Sequence, residues 1–317
     1  MVSVKTYLKS PRKGNHRGMN LEVDGKTLTI TNPEKLLWPS LEIRKIDYLK
    51  ILLELAPYLL PHVQDHLLTT IRYPNGFQGK SFFQKNIPDY APEWIPTIEW
   101  RDNQYIILES EATLIWLGNQ ACLEFHIPFN PYDRDQYPSA LVFDLDPSEG
   151  QTFENVTEVA LLIFEELKAL QITSYIKTSG ASGLQIHIPT GGKYDYDTAR
   201  KINEFFAVYF SQKYPRQITL ERSVAKRGHK LYFDYLQMWQ GKTIISPYSP
   251  RATAYASVAA PLEWQELRHG VKPEDFNLLN ISGRLKDKGD LFAPLLNKKN
   301  GQDRKNSQDL DFILEKI

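Results

Sequence analysis

Apolar side chains recur along the chain with two different periods, and each period predicts one kind of secondary structure. Alternation of apolar and polar residues is typical of strands, whereas a spacing of three to four residues is typical of helices that bury one face. Strands are predicted at LEVDGKTLTI, LLTTIRYP, YIILES, CLEFHIPF, ALVFDLD, SYIKTS, LQIHIP and KLYFDYLQ. Helices are predicted at IRKIDYLKILLELAPYLL, EATLIWLGNQA, FENVTEVALLIFEELKAL and YDTARKINEFFAVYFSQKY.

Two local signals refine this pattern near the N-terminus. Asp24 and Gly25 interrupt the first alternating stretch, and an Asp-Gly pair is a strong signal for a two-residue hairpin. In NPEKLLWP, Asn32 precedes a proline, which predicts a short turn of helix that starts there.

Strands and helices alternate without the strict order of a βαβ fold. The pattern therefore predicts an α+β (mixed α/β) protein, with mixed or antiparallel sheets flanked by helices. The chain has 317 residues, of which 42% are hydrophobic, and this is enough for a large core. We expect a flexible basic lead-in at residues 1–19, a folded domain at 20–290 and a polar C-terminal tail with a short helix at 291–317.

Composition excludes some classes of protein. The net charge is zero, but residues 1–50 and 200–251 are basic while residues 139–170 are acidic, a distribution compatible with an anionic substrate held over a metal site. Cys122 is the only cysteine, which excludes an internal disulfide and favours a cytoplasmic setting. No apolar stretch is long enough to span a bilayer, and the N-terminus lacks the apolar segment of a signal peptide.

The first candidate for chemistry is the pair Asp144 and Asp146 in ALVFDLDPSEG. Residues i and i+2 of a strand point to the same face, so the two carboxylates are expected side by side. A bound divalent cation would cancel their repulsion. The alternative is a strand end at which Asp146 and Pro147 begin an ordinary turn.

A third carboxylate is available at Asp234, a lone acid in the apolar and aromatic stretch KLYFDYLQ. Three carboxylates could hold a pair of metal ions that activate a hydroxyl and stabilise a leaving pyrophosphate. The alternative is an ion pair between Asp234 and Arg227 or Lys242.

Phosphate-binding candidates lie in the glycine-rich stretch KTSGASGLQIHIP and in the basic segment after it. Two glycines permit close approach of the backbone to a phosphate, and serine hydroxyls add donors. An ordinary hairpin with a structural histidine is the alternative for the turn, and a solvated basic face is the alternative for the cations. The candidates are Ser179, Ser182, Gln185 and His187, with the cations Lys226, Arg227, Lys242 and Arg251.

Two further groups lie near the N-terminus. Asn32, Lys35 and Lys45 could gather at the start of a helix, which is a natural anion site. Phe82 and Phe83 are adjacent in GKSFFQK, so a strand there cannot bury both rings in one core. One or both could stack on nucleic-acid bases, although each could also pack beneath its own loop.

Taken in order, these stretches resemble the polymerase domain of bacterial DNA ligase D, a member of the archaeo-eukaryotic primase superfamily that acts in non-homologous end joining. The resemblance runs from about residue 20 to residue 290, so 20–290 is expected to be the primase-polymerase domain, with an N-terminal phosphate-binding segment. It rests on TNPEKLLWP, RYPNG, FFQK, LVFDLDP, KTSGASGLQIHIP, FDYLQ and GKTIISPYSPR.

The resemblance implies a role for each matching position. The catalytic metal ligands are expected to be Asp144, Asp146 and Asp234. The expected nucleotide-binding residues are His126, Ser179, Ser182, Gln185, Arg227, Gln237 and Arg251. A pocket for a downstream 5′-phosphate is matched by Asn32, Lys35 and Lys45, and the aromatic pair that stacks on the template is matched by Phe82 and Phe83.

The chain departs from the family in the glycine turn. Many members have lysine where this chain has Ser182, and histidine where it has Gln185. Because His187 follows two residues later on the same strand face, we infer that it takes over the phosphate contact.

The resulting expectation is a DNA-directed nucleotidyltransferase that fills gaps and processes ends. The resemblance implies Mn²⁺ or Mg²⁺, as two ions, and a preference for NTPs over dNTPs. It also implies gapped or broken DNA with 5′-phosphate ends as substrate, a DNA ligase and Ku as partners, and a bacterial, nucleoid-associated location. The alternatives are a non-catalytic module that bridges DNA ends for a ligase and Ku, and a metal-dependent glycosyltransferase, which also uses a D-x-D pair.

Overall fold

The computed structural model describes residues 18–296 and 308–316. The predicted lead-in at residues 1–19 therefore lies outside the described residues, except for Gly18 and Met19, which begin the first strand. None of the described helices is long and apolar enough to cross a lipid bilayer.

Short strands make up much of the described chain. In chain order they are β1 (Gly18–Val23), β2 (Lys26–Thr31), β3 (Leu36–Trp38), β4 (Ile43–Arg44), β5 (Thr69–Arg72), β6 (Phe82–Gln84), β7 (Thr97–Trp100), β8 (Asn103–Ile106), β9 (Cys122–Pro128), β10 (Ala140–Asp146), β11 (Tyr175–Thr178), β12 (Leu184–Pro189), β13 (Ile218–Thr219), β14 (Leu231–Phe233), β15 (Thr243–Ile245) and β16 (Pro261–Leu262).

The α-helices fall between these strands and pack against the sheets. In chain order they are α1 (Lys45–Val63), α2 (Glu111–Asn119), α3 (Phe153–Ala169), α4 (Tyr196–Lys213), α5 (Trp264–Arg268), α6 (Ile281–Lys288) and α7 (Asp311–Leu314). Each of the four long helices predicted from the apolar period is present as α1, α2, α3 or α4.

Two larger sheets organise the molecule. The first has the strand order β13-β14-β10-β12-β11-β16, and the second has the order β15-β9-β5-β6. Neighbouring strands are antiparallel throughout, except that β13 and β14 are parallel. This mixed α+β architecture confirms the predicted fold class.

The two faces of the six-stranded sheet differ in character. On one face, Phe143 and Phe233 pack against each other, with ring centroids 5.0 Å apart, and against Phe206 and Phe210 of α4 at 5.3 to 6.2 Å. Because side chains alternate along a strand, Asp144, which follows Phe143 on β10, projects from the opposite face. The apolar face therefore packs against α4, and the opposite face carries the predicted metal ligands Asp144 and Asp146.

Two predicted elements differ from the structure. NPEKLLWP is not helical, because Leu36–Trp38 pairs as a strand with Ile43–Arg44 and the preceding residues form a tight turn. The strand predicted over KLYFDYLQ ends at Phe233. At that point Asp234 accepts a hydrogen bond from the backbone N–H of Leu236 and starts a turn of 3₁₀ helix instead.

Part of the segment predicted as a tail at 291–317 is buried. Phe292 is buried, and so are Leu310 and Ile313 of the C-terminal segment that carries α7. The side chain of Lys193 bonds to Asp309 (2.8 Å) and Asp311 (2.6 Å), which ties this segment to the loop before α4. The described part of the tail is therefore packed against the domain, and its short helix is α7.

Candidate active site

The three predicted aspartates converge at one end of the six-stranded sheet. Asp144 and Asp146 lie two residues apart at the end of β10. The backbone N–H of Asp234, just after β14, donates to the carbonyl oxygen of Asp144 over 3.0 Å. Residues that are distant in sequence therefore share one small acidic region.

Burial and mutual repulsion make the carboxyl groups of this region harder to ionise. Burial, and then the charge of Asp146, raise the pKa of Asp144 to about 7, while a hydrogen bond from Gln185 opposes this rise. Burial and the charge of Asp234 likewise raise the pKa of Asp146, and two arginines oppose it. Like charges held this close favour a cation between them.

The donor chemistry fits a divalent metal ion only in part. Carboxylate oxygens are the ligands that Mg²⁺ and Mn²⁺ prefer. Oδ1 of Asp234, however, accepts hydrogen bonds from the Leu236 N–H and the Tyr232 hydroxyl, both over 3.1 Å. Within residues 18–296 and 308–316, no three His, Cys, Asp or Glu side chains are already arranged around a common ion position. The pair Asp144 and Asp146 therefore fits a metal ion better than Asp234 does.

Neither proposed ion pair of Asp234 is present. The ammonium group of Lys242 donates to the carbonyl oxygen of Leu236 over 3.0 Å. The guanidinium of Arg227 donates to backbone carbonyl oxygens of its own loop and stacks on the Tyr232 ring, 3.8 Å from its centroid. Arg227 is nevertheless close enough to lower the pKa of Asp146.

The glycine turn lies directly beside the acidic pair. The hydroxyl oxygen of Ser179 accepts hydrogen bonds from the N–H groups of Ala181 (3.2 Å) and Gly183 (3.0 Å), which holds the turn in shape. A Cβ on Gly183 would meet the Leu145 carbonyl oxygen at 2.6 Å and Asp146 Oδ1 at 3.2 Å. Ser182 is exposed at the tip of the turn.

Arg251 packs against this turn. Gly180 has a φ of +72°, and a Cβ there would lie 2.4 Å from Cγ of Arg251. One guanidinium nitrogen, Nη1, pairs with Oε2 of Glu124 over 3.2 Å. The buried Nε has no hydrogen-bond partner among the described residues, so the site contains an unused cationic donor next to the glycine turn.

Two of the predicted nucleotide-binding residues, Gln185 and His126, lie on sheet surfaces near the three aspartates. Gln185 pairs with Asp144 across the strands, and its side-chain amide donates to Asp144 Oδ1 over 3.1 Å. His126, on β9 of the four-stranded sheet, bonds through Nε2 to Glu124 over 3.0 Å. Gln237 lies further out, where its amide donates to the Thr243 carbonyl oxygen over 2.9 Å.

His187 is not brought to the glycine turn. It lies two residues beyond Gln185 and is paired with Val142, away from the end of β10 that carries the aspartates. Its ring packs edge-on against Phe292, with centroids 5.2 Å apart, and it lines a cavity of about 720 Å³ at the other end of the strand. The inference that His187 contacts phosphate therefore has no support from the geometry.

The N-terminal residues do gather at a helix start, which is that of α1. The N–H of Lys45 donates to the carbonyl oxygen of Lys35 over 2.8 Å, so the turn that begins at Asn32 lies against the helix. The Lys45 ammonium is buried and bonds to the carbonyl oxygens of Thr31 (2.7 Å) and Asn119 (2.9 Å). Lys45 thus has a structural role here, whereas the ammonium of Lys35 donates to the Pro74 carbonyl oxygen.

The aromatic pair lies on the edge strand of the four-stranded sheet. In β6, Phe82 is 45% exposed and Phe83 is 71% exposed. The Arg72 guanidinium lies 5.2 Å from the centroid of Phe82, which leaves Phe83 as the more open ring. Neither ring packs beneath its own loop.

Two buried charged residues of the site were missed in the sequence. Glu124 lies two residues before His126 on β9, so the alternation argument used for Asp144 and Asp146 could have placed both side chains on one face of a strand. Lys177 is fully buried on β11, paired with Gln185 in the same row as Asp144. Burial lowers the pKa of its ammonium well below the usual value, and the charge of Asp144 opposes this.

Converging aspartates beside a glycine turn, on one face of a mixed sheet, are an arrangement suited to metal-dependent nucleotidyl transfer, the chemistry expected of the primase-polymerase class. The model of one family, described as the LigD primase-polymerase domain, matches residues 44–292. The chain belongs to this family.

Relatives and a solved structure agree with this assignment. The Bifunctional non-homologous end joining protein LigD of Bacillus subtilis is 37% identical over 263 residues, which are 83% of this chain and 43% of that protein. The Multifunctional non-homologous end joining protein LigD of Mycolicibacterium smegmatis is 32% identical over 274 residues, 84% of this chain and 36% of that protein. The chain spans less than half the length of these relatives.

One solved structure that resembles this chain is the polymerase domain from Mycobacterium tuberculosis ligase D in complex with DNA. It superposes with a TM-score of 0.77 at 29% identity, and the match covers 84% of this chain and 97% of that one. The predicted family, fold class and enzyme class are confirmed, and the glycosyltransferase alternative is excluded by the family. The individual site residues, the domain boundaries, the metal and the nucleotide preference stay predictions.

Proposed function

We propose that this chain adds nucleotides, NTPs in preference to dNTPs, to 3′-hydroxyl ends during gap filling and end processing in bacterial non-homologous end joining. The observation that carries the proposal is the convergence of Asp234 with Asp144 and Asp146 beside a glycine turn. A non-catalytic module that bridges DNA ends would have no need to bury like charges together.

In the proposed reaction, the 3′-hydroxyl oxygen of a primer bonds to the α-phosphorus of the nucleotide, the hydroxyl proton passes to solvent water, and the α–β anhydride bond breaks to release pyrophosphate. Asp144 and Asp146, completed by Asp234, would hold Mn²⁺ or Mg²⁺. A bound ion would lower the pKa of the hydroxyl and offset the charge on the phosphates.

The phosphates need donors opposite the acidic pair, and the chain supplies them. Arg251 contributes an unused buried Nε, and Arg227 contributes charge near Asp146. The glycine turn permits close approach of the triphosphate, with the Ser179 and Ser182 hydroxyls as further donors. His126, Gln185 and Gln237 would line the remainder of the nucleotide site.

DNA would be held by the more distant elements. Lys35 and Asn32, at the start of α1, are the proposed contacts for a downstream 5′-phosphate, and Lys45 supports them from beneath. Phe83, with Phe82 beside it, would stack on the template at the gap. A DNA ligase and Ku are the proposed partners, because the relatives of this chain are named as end-joining proteins.

The test is primer extension on a gapped duplex, with NTPs compared with dNTPs, Mn²⁺ with Mg²⁺, and 5′-phosphorylated with unphosphorylated gaps. Wild-type protein should extend the primer, best with NTPs and a phosphorylated gap. Asp144→Asn should lower the rate by at least about a hundredfold, because a neutral amide is a poor metal ligand. Asp197→Asn is the matched control, since Asp197 is an exposed aspartate on α4. Extension by Asp144→Asn at the wild-type rate would refute the assignment of the metal site.

A further inference from the structure

Glu124 is a buried carboxylate that the proposed chemistry does not use. It lies in the middle of β9 in the four-stranded sheet, and its side chain is only 5% exposed. A carboxylate in such a place is costly unless several donors satisfy it. Its contacts therefore indicate what it does.

Both oxygens of Glu124 are occupied. Oε2 pairs with Nη1 of Arg251 (3.2 Å) and with Nε2 of His126 (3.0 Å). Oε1 accepts from the backbone N–H of Ala252 (3.2 Å) and from the hydroxyl of Tyr73 (3.3 Å). One carboxylate thus links two residues of the proposed nucleotide site and also the backbone next to one of them.

The charge state of Glu124 agrees with this arrangement. Burial raises its pKa, but the hydrogen bond from His126 and the charge of Arg251 outweigh burial, so that the pKa ends below its usual value. Glu124 is therefore ionised at neutral pH and holds its partners by charge-assisted hydrogen bonds, which are the stronger kind.

Arg251 is the partner for which this matters most. Its side chain packs against Gly180 of the glycine turn, and its guanidinium is fixed at Nη1 by Glu124, while Nε has no partner among the described residues. A long arginine side chain loses about 2 kcal/mol of conformational entropy when it is ordered. A carboxylate that orders it in advance removes this cost from nucleotide binding.

We propose that Glu124 is a positioning residue for the nucleotide site. From β9 of the four-stranded sheet, it holds Arg251 and its strand neighbour His126 in the orientation that receives the triphosphate. This inference rests on the proposed function. It assigns to Glu124 no contact with the nucleotide, so its effect passes through its partners.

The chain offers a matched control. Glu266 forms an ion pair with Arg284 in which both side chains are largely buried, with N···O distances of 2.6 and 2.7 Å. This pair links α5 to α6, and neither residue belongs to the proposed site. Glu266→Gln therefore reproduces the loss of a buried ion pair without the loss of nucleotide positioning.

The experiment measures KM for NTP, kcat, gap-DNA affinity and Tm for wild type, Glu124→Gln and Glu266→Gln. We expect Glu124→Gln to raise the KM for NTP by about tenfold or more, which corresponds to the loss of one charge-assisted hydrogen bond. Its kcat should change much less, and its gap-DNA affinity should not change. Glu266→Gln should lower Tm while it leaves KM at the wild-type value. An unchanged KM in folded Glu124→Gln, or an equal rise in both variants, would overturn the inference.

Two further variants separate positioning from simple stability. Glu124→Asp keeps the charge but shortens the side chain, so it should fold and still raise KM. In a background of Arg251→Met, Glu124→Gln should add much less than it costs in the wild type, because only its effect through His126 remains. Additive effects would contradict the inference. Failure of the wild type itself to extend a primer would instead count against the proposed function.

Discussion

Single charges that are buried or half-buried determine the electrostatics of the proposed site. Asp144, Glu124, Lys177 and Arg251 lie close enough to shift one another's protonation or to pair directly. A buried charge is tolerated when an opposite charge or hydrogen bonds satisfy it. The acids Asp144 and Glu124 are thus balanced by the bases Lys177 and Arg251, around the space where we place the nucleotide.

One prediction concerns Gly180, where a methyl group would overlap the Arg251 side chain and the backbone φ is +72°. Gly180→Ala should raise the KM for NTP by about tenfold, because displacement of Arg251 costs about one charge-assisted hydrogen bond. The variant should also lose about 1–2 kcal/mol of unfolding free energy. Steady-state primer extension and thermal denaturation measure the two effects.

The matched control is Gly25→Ala in the β1–β2 hairpin. Gly25 has a similar φ of +70°, but a Cβ there would meet nothing within 4 Å. This variant should show the cost of backbone strain without a change in KM. An equal KM for the two variants would mean that contact between the glycine turn and Arg251 is unimportant.

Among the elements, the start of α1 is a helix end whose first N–H groups already have hydrogen-bond partners within the protein. The first N–H groups of a helix are natural anion donors. Here the N–H groups of Lys45 and Ile46 donate to carbonyl oxygens of the turn at residues 32–35, over 2.8 and 3.0 Å. A 5′-phosphate at this place would therefore depend on side chains, not on the helix end.

A second prediction separates the role of Lys35, in the turn before α1, from that of Lys45, the first residue of α1. Lys45→Met should lower the unfolding free energy by about 1–3 kcal/mol, because the carbonyl oxygens of Thr31 and Asn119 lose a buried donor. Lys35→Met should cost less than about 1 kcal/mol but should reduce the preference for 5′-phosphorylated gaps. Denaturant titration and gap-filling assays measure these effects. A stable Lys45→Met protein that has lost the phosphate preference would reverse the two roles.

For the whole molecule, the acidic centre couples stability to pH and to metal. The pKa of Asp144 is raised from 3.8 to about 7, so the folded protein binds this proton more tightly than the unfolded chain does. Unfolding then releases a proton between about pH 4 and pH 7, and stability falls as pH rises through this range. A divalent ion that binds only the folded state should restore what is lost.

A third prediction follows for thermal unfolding in EDTA. Between pH 5 and pH 8 the wild type should lose about 1–3 kcal/mol relative to Asp144→Asn, or roughly 2–4 °C of Tm per kcal/mol. Added Mn²⁺ at pH 8 should raise the Tm of the wild type and have little effect on Asp144→Asn. Parallel pH profiles for the two proteins, with no response to Mn²⁺, would contradict this coupling.

Local pattern predicted most of the long elements, because amphipathic period and turn residues act within a few positions. It failed where tertiary pairing decided the conformation. Leu36–Trp38 became a strand because Ile43–Arg44 is available to pair with it. His187 shares the strand face of Gln185, as predicted, but lies at the wrong end of the strand to meet the glycine turn.

The sequence by itself determined that Asp144 and Asp146 share a strand face, that a glycine turn is present, and to which family the chain is similar. Only the tertiary structure decided that Asp234 lies against Asp144, that Lys45 is buried, and that Glu124 meets Arg251. The physical reason is the distance along the chain over which each signal acts, because side-chain periodicity is a property of neighbouring residues. Contacts between distant segments depend on how the sheets pack, which no local pattern records.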